Sequence, residues 1–482
     1  MKLVAARRTG TRHASAKTAC GLIATARLLI ANTMPALARS LVVIFLAALA
    51  LAGIVYARGS GGEDRPARTS SAITVRVDRA DGVGTSQLAL GVTHTQYSLD
   101  PWGDPAAVQR GKELLQRVAR LQNQHIYGWG ALNPEPRPGV FDWASLDRRV
   151  ELMRSTGATP VITLCCAPDW MTQLGTQTTS YPNLPPTPDH YDEFAQLAAR
   201  VARRYPDVRH FMVWNEFKGF YDDARGRWDV EAYTRMYNAV YAALKAVDPG
   251  IEVGGPYLVV EGTGSRELGR DGHATAPPIT ERDRHVLEYW LAKAAGADFV
   301  VIDRNVRGAR DHNRYSRAEY LELTRWFEDV TRQVRRMTKL PVWFAEDYFR
   351  DDRDWRFQAA GLASVLAAEV RGGAAASLRW GPQGSDDAAT QGNPQSLFSD
   401  THHAGGGQPF PAFYVYEAFA QHFGPGTPLV RAKSSSPSRV YALASPDVTL
   451  LINRRPRTLQ VKLDGRSLRL KPYEVRAVAF TG

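Results

Sequence analysis

Two carboxylic acids in this chain close apolar runs, and that placement points to acid–base chemistry. The first ends the stretch His210-Phe211-Met212-Val213-Trp214-Asn215-Glu216, where five apolar or aromatic residues in a row, His210 to Trp214, give way to an amide and a carboxyl. The second ends Val342-Trp343-Phe344-Ala345-Glu346. A continuous apolar run reads as a strand buried on both faces of a parallel sheet. Polar groups at the C-terminal tip of such a strand face the active site of an α/β barrel. Two carboxyls brought together there can cleave a glycosidic bond, one as proton donor and the other as nucleophile or as base on water. Asn215 adds an amide for a sugar hydroxyl.

The elements that must position these groups follow a βα rhythm, with short apolar runs alternating with amphipathic stretches. Eight strands are predicted: Leu88 to Val92, Gln124 to Tyr127, Thr159 to Cys166, the stretch ending in Glu216, Ile251 to Gly255, Asp298 to Ile302, Leu340 to Ala345, and Ala374 to Trp380. Helices are predicted between them, among them 143–155, 191–204, 230–247, 316–337 and 358–370. Eight strands alternating with helices make an α/β fold of the (β/α)8 barrel type, spanning residues 85–424. From 425 to 482 short strands follow one another without helices, as a small all-β sandwich, which a strand at 73–84 is predicted to join.

With the elements laid out, a family resemblance becomes specific. Asn215-Glu216 ending the fourth strand and Glu346 ending the seventh resemble the retaining glycoside hydrolases of clan A. Trp214-Asn215-Glu216 and its spacing to Glu346 resemble family 39, whose members include β-xylosidases and α-L-iduronidases. The resemblance implies Glu216 as acid/base, Glu346 as nucleophile and Asn215 as partner of the sugar 2-hydroxyl. It also implies a barrel carrying a small β-sandwich. The sequence departs from the family pattern in three places: Phe217 stands where Pro usually follows the acid/base, His125-Ile126-Tyr127 where an Arg is usual, and Asp303-Arg304-Asn305 where a His and an aromatic are usual.

Other residues near predicted strand ends have two readings each. Trp380, at the end of the eighth strand, is placed to stack on a sugar ring, against simple core packing. Trp170 and Trp129 carry the same pair of readings. His94 and His125 are candidates for hydroxyl contact or for satisfied core positions, and Tyr257 is a further candidate on the substrate side. Asp347, beside Glu346, reads as turned away and salt-bridged. His402-His403 with Asp400 is poorly spaced for one metal ion, so no metal site is predicted, and the proposed chemistry needs no cofactor. Rivals to hydrolysis are transglycosylation by the same residues and a non-catalytic carbohydrate-binding barrel.

Composition bounds the partners. The chain has 482 residues and a net charge of +11. Residues 1–58 hold eight Lys and Arg and no acid; without those eight, 52 basic residues face 49 acidic ones. The basicity is a property of the tail and argues for membrane targeting rather than nucleic-acid binding. Residues 1–40 read as a basic cytoplasmic tail, 41–57 as an apolar transmembrane anchor or signal segment, and 58–72 as a Gly- and Ser-rich linker. The expectation is an extracytoplasmic protein, anchored or secreted, acting on a carbohydrate. Whether Met34 is the true start is open on this reading. The adjacent Cys165 and Cys166 read as buried thiols rather than as a vicinal disulfide.

Overall fold

The computed structural model describes residues 72–95, 98–175, 184–260, 279–307, 316–350, 354–384 and 396–480. The tail, the apolar run 41–57 and nearly all of the linker expected from the sequence lie outside these residues. No helix among the described residues is long and apolar enough to cross a membrane.

Eight parallel strands close into a barrel. In chain order they are β2 (Ala89–Thr93), β3 (Leu121–His125), β4 (Thr159–Leu164), β5 (His210–Val213), β8 (Glu252–Val259), β9 (Phe299–Arg307), β10 (Val342–Arg350) and β11 (Ala376–Trp380), with β11 pairing back onto β2. A short hairpin of β6 (Tyr221–Asp222) and β7 (Arg227–Trp228) follows β5. Helices cover the outside: α1 (Pro105–Val118), α2 (Ala144–Ser155), α3 (Tyr191–Arg204), α4 (Val230–Val247), α5 (Glu281–Lys293), α6 (Arg317–Leu323), α7 (Arg325–Met337), α8 (Trp355–Gly372) and α9 (Pro411–His422). Their starts are written locally in the sequence. The side chains of Asp104, Asp229, Thr280 and Asp354 each accept a backbone N–H of the first turn, and Ser316 with Glu319 forms a capping box. The single helix predicted over 316–337 is two, because it divides at Thr324.

The strands differ from expectation where the periodicity was silent. β3 begins three residues before the predicted second strand, because Gln122, Asn123 and Gln124 are polar yet fully buried. They are satisfied by side-chain hydrogen bonds: Gln122 to Thr156, Asn123 to Thr93, and Gln124 to backbone carbonyls of His125 and Trp129. β9 and β10 continue past their apolar runs and stay paired to Arg307 and Arg350. Inside the barrel, Leu121, Val161, Met212, Phe299, Val301, Trp343, Ala345 and Leu378 form one apolar plug. The alternate residues of each strand face the helices.

The C-terminal β domain has seven strands in one hydrogen-bonded order: β16 (Arg466–Leu470), β15 (Leu459–Leu463), β1 (Ile73–Thr85), β12 (Pro428–Ser434), β13 (Val440–Ala444), β14 (Val448–Asn453) and β17 (Val475–Ala479). β1 is an interior strand, parallel to β15 and antiparallel to β12. Ile73 and Val75 share a buried cluster with Val440, Leu451, Val461 and Leu470.

Candidate active site

Glu216 lies just beyond β5, in a turn whose backbone is left-handed at Trp214 (φ 73°), Glu216 (φ 49°) and Phe217 (φ 57°). Left-handed backbone at three non-glycine residues costs energy and persists only where the surroundings hold it. The surroundings here are aromatic. Trp214 packs on Phe194 and Phe220 and donates its indole N–H to the Lys218 carbonyl at 2.8 Å. Phe217, in place of the usual proline, is fully buried against Phe220, Trp228 and Tyr233.

Glu346 is aimed by a different device. Along β10, Trp343 and Ala345 face the barrel interior while Val342 and Phe344 face the helices. Strict alternation would send Glu346 outward. The register against β9 shifts between Phe344 and Glu346, a bulge that turns Glu346 back towards the barrel mouth. Asp347 then faces outward, where its buried carboxylate accepts from Arg379 at 2.8 Å. The register of β8 against β9 shifts in the same way between Pro256 and Leu258. That shift places Tyr257 (φ 53°) inside, donating its hydroxyl to Oε1 of Glu346 at 2.7 Å. Burial, followed by the charge of Glu346, holds the Tyr257 phenol well above its ordinary pKa, so it remains a donor.

Oxygens of Glu216, Asp303 and Glu346 lie within 4.8 Å of one another. Asp303 projects from β9 and is fully buried. Burial first, then the charges of Glu346 and Glu216, push its carboxyl well above the ordinary range. Lys218 Nζ is ion-paired with Glu216 Oε2 and also lies 5.5 Å from the centre of the Trp129 ring. Asn215 is almost fully buried, and neither oxygen nor nitrogen of its amide completes a hydrogen bond of full geometry among the described residues. Beside it is the His125 ring, which burial, then Lys218, bring down to a pKa of about 3 against the pull of Asn215; it is a neutral imidazole.

An aromatic wall stands next to this group. The Trp129 ring centre is 4.6 Å from that of His125 and 5.9 Å from that of Trp380, and His125 and Trp380 are 6.0 Å apart. Trp129, Trp380, Asn215 and Tyr257 are thus brought together with the two glutamates. Two candidates are not. His94 follows an interior-facing Thr93 and so points to the outer face of the barrel, where it is fully buried, 2.9 Å from Gln122 Oε1. Trp170 donates its indole N–H to the Glu135 carbonyl at 2.9 Å and packs its edge on His190. His125, a candidate from the sequence, lies with the two glutamates, and two groups were not among the candidates: Asp303 and Lys218. Their signal was positional: Asp303 falls on an interior-facing position at the end of a predicted strand, and Lys218 follows Glu216 by two residues. The reading of Cys165 and Cys166 as thiols is corrected too. They are joined by a cis peptide and form a disulfide with each other, buried at the end of β4; adjacency in the sequence does not reveal the peptide isomer.

The closed (β/α)8 barrel thus brings Glu216, Asp303 and Glu346 together at its mouth. The sequence profile of glycosyl hydrolases family 39 matches residues 133–349, a span that contains both Glu216 and Glu346, so this part of the chain resembles that family. A second profile, the C-terminal immunoglobulin-like domain of D-apionate lactonase, matches residues 437–478. A β-xylosidase of Caldicellulosiruptor saccharolyticus is 31% identical over 135 residues, which is 25% of this chain and about a quarter (26%) of that relative's length. The fold resembles a monomeric β-xylosidase from Caulobacter crescentus (TM-score 0.55, 19% identity, 81% of this chain and 83% of that one). It also resembles a family 39 enzyme from Xanthomonas axonopodis pv. citri (TM-score 0.52, 19% identity, 81% of this chain and 76% of that one).

Proposed function

We propose that this protein is a retaining glycoside hydrolase, with Glu346 as nucleophile and Glu216 as acid/base. The observation that carries the reading is the closeness of the two carboxyls, of which one oxygen from each lies within 4.8 Å of the other. Retaining enzymes hold the pair about 5–5.5 Å apart, whereas inverting ones leave roughly 6.5–9.5 Å for a water. Glu346 attacks the anomeric carbon as a carboxylate, steadied by the Tyr257 hydroxyl. Glu216 protonates the departing oxygen and then takes a proton from the water that releases the sugar. Asn215, whose amide borders the His125 ring, meets the sugar 2-hydroxyl. Trp129 and Trp380 offer aromatic faces to a ring. The substrate is a poly- or oligosaccharide outside the cytoplasm, a location that rests on the apolar run 41–57 and its basic flank.

A panel of aryl glycosides and wall polysaccharides, assayed with the chain from residue 72 onward, tests this. Glu346→Ala is expected to abolish turnover. Glu216→Ala is expected to keep the first step on dinitrophenyl glycosides and to form a glycosyl azide of retained configuration when azide is added. A first-formed product of inverted configuration, or turnover that survives Glu346→Ala, would sink the assignment.

A further inference from the structure

Double displacement by two glutamates leaves a third carboxyl of the site without a task. Asp303 is fully buried, and no N–H or O–H donor among the described residues completes a hydrogen bond to either of its oxygens. One oxygen each of Asp303, Glu216 and Glu346 lies within 4.8 Å of the others, and the Glu216 carboxyl is the one that acts on Asp303 as a hydrogen-bonding neighbour. Two carboxylates only accept, so they bond to each other only when one carries a proton, and close like charges hold a proton between them for that reason. The charged and titratable groups facing Asp303 are Glu216 and Lys218 from the turn after β5, Tyr257 from β8 and Glu346 from β10. Lys218 is the cation of this set, and it is ion-paired with Glu216. A proton is what remains to offset Asp303.

On the reading of the site given above, we propose that Asp303 is a positioning residue for the acid/base step: it shares one proton with Glu216 and holds that carboxyl towards the leaving-group oxygen. The charge count favours this arrangement. Before reaction Glu346 is a carboxylate and the Asp303–Glu216 pair carries one proton, so the three carboxyls total two negative charges. In the first step the Glu346–carbon bond forms and the carbon–oxygen bond breaks. The leaving oxygen keeps the electron pair and takes the pair's proton from Glu216. Glu346 is now a neutral ester and the pair is doubly ionised, again two negative charges. When water attacks the anomeric carbon, its proton returns to the pair and Glu346 leaves as a carboxylate. The buried site beside Lys218 thus never changes its net charge.

Asp303→Asn keeps the shape and a hydrogen-bond donor but cannot exchange a proton. Its kcat/KM for aryl glycosides with poor leaving groups is expected to fall roughly 100-fold, the scale of a general-acid contribution. Dinitrophenyl glycosides, which leave without protonation, are expected to change little, and the alkaline limb of the pH–rate profile is expected to move. Independently of turnover, wild-type protein at neutral pH is expected to show a carboxylic-acid carbonyl stretch in the infrared that Asp303→Asn lacks. Equal losses for both leaving-group classes, an unmoved pH profile, or no such band would overturn the role of Asp303. So would a band that disappears on addition of calcium alone, which marks a cation site instead. Wild-type protein that turns over no glycoside sinks the reading of the site; turnover with a loss indifferent to the leaving group sinks only the part given to Asp303.

Discussion

His94 and His125 are both fully buried and neutral, yet their neighbourhoods set them different tasks. His125 lies inside the barrel mouth against Asn215 and Trp129. His94 sits outside the barrel wall, where burial and then Arg149 bring its pKa down to about 3 against the hydrogen bond to Gln122. In the unfolded chain an imidazole takes up a proton near pH 6.5, whereas folded His94 stays neutral down to about 3. The unfolded state therefore binds the extra proton across that window, and the stability due to neutral His94 is present above it and lost as the pH falls through it. Relative to His94→Asn, the wild-type advantage in unfolding free energy is expected to shrink by about 2 kcal/mol between about pH 7.5 and pH 5. Urea titrations of both proteins at the two pH values check it, and an advantage independent of pH would contradict the neutral, buried histidine.

At the scale of elements, the outer face of β10 and β11 holds a small buried charge network. Arg379 and Asp347 form a fully buried ion pair, and Glu369 of α8 is buried beside it, pushed well above the ordinary range by burial and then by Asp347. Removing the cation leaves two carboxyls in a dry layer between sheet and helix. Arg379→Met is expected to cost about 3–5 kcal/mol, as for a buried pair that loses one partner. Because this layer lies behind β10, any loss of activity should track the loss of fold: thermal melting and residual turnover are expected to fall together. A variant with unchanged melting temperature would show that the pair contributes little.

For the whole molecule, the first strand and the last domain are one unit. β1 supplies an interior strand of the C-terminal sheet, hydrogen-bonded on both sides. The β domain is also tied to the barrel helices: Arg371 donates to the Ala442 carbonyl and lies 4.8 Å from the Tyr441 ring centre, and Arg454 pairs with Glu322 at 3.4 Å. A chain that begins at residue 86 would leave the edges of β12 and β15 open and the cluster around Val461 uncovered, a state prone to aggregation. Such a chain is expected to melt at least several degrees lower than one beginning at residue 72, or to be recovered only as aggregate. Light scattering and thermal melting of the two purified chains decide the point, and equal stability would refute the pairing of β1.

The order of residues by itself determined the βα rhythm, because an apolar run that must be dry on both faces is visible as a run. It also marked Glu216 and Glu346 as breaks in such runs. It set the start of β3 three residues late, because the strand's buried residues are polar, satisfied by Thr156, Thr93 and backbone carbonyls. It did not reveal the direction of the side chains that matter most. Strict two-residue alternation would turn Glu346 and Tyr257 away from the barrel mouth; one bulge in β10 and one in β8 turn both inward. A bulge leaves no mark in hydrophobic periodicity, since it depends on the register with the neighbouring strand. The same holds for Asp303, an ordinary acid in the sequence, which becomes a shared-proton partner only because β9 stands between β8 and β10 in the closed sheet.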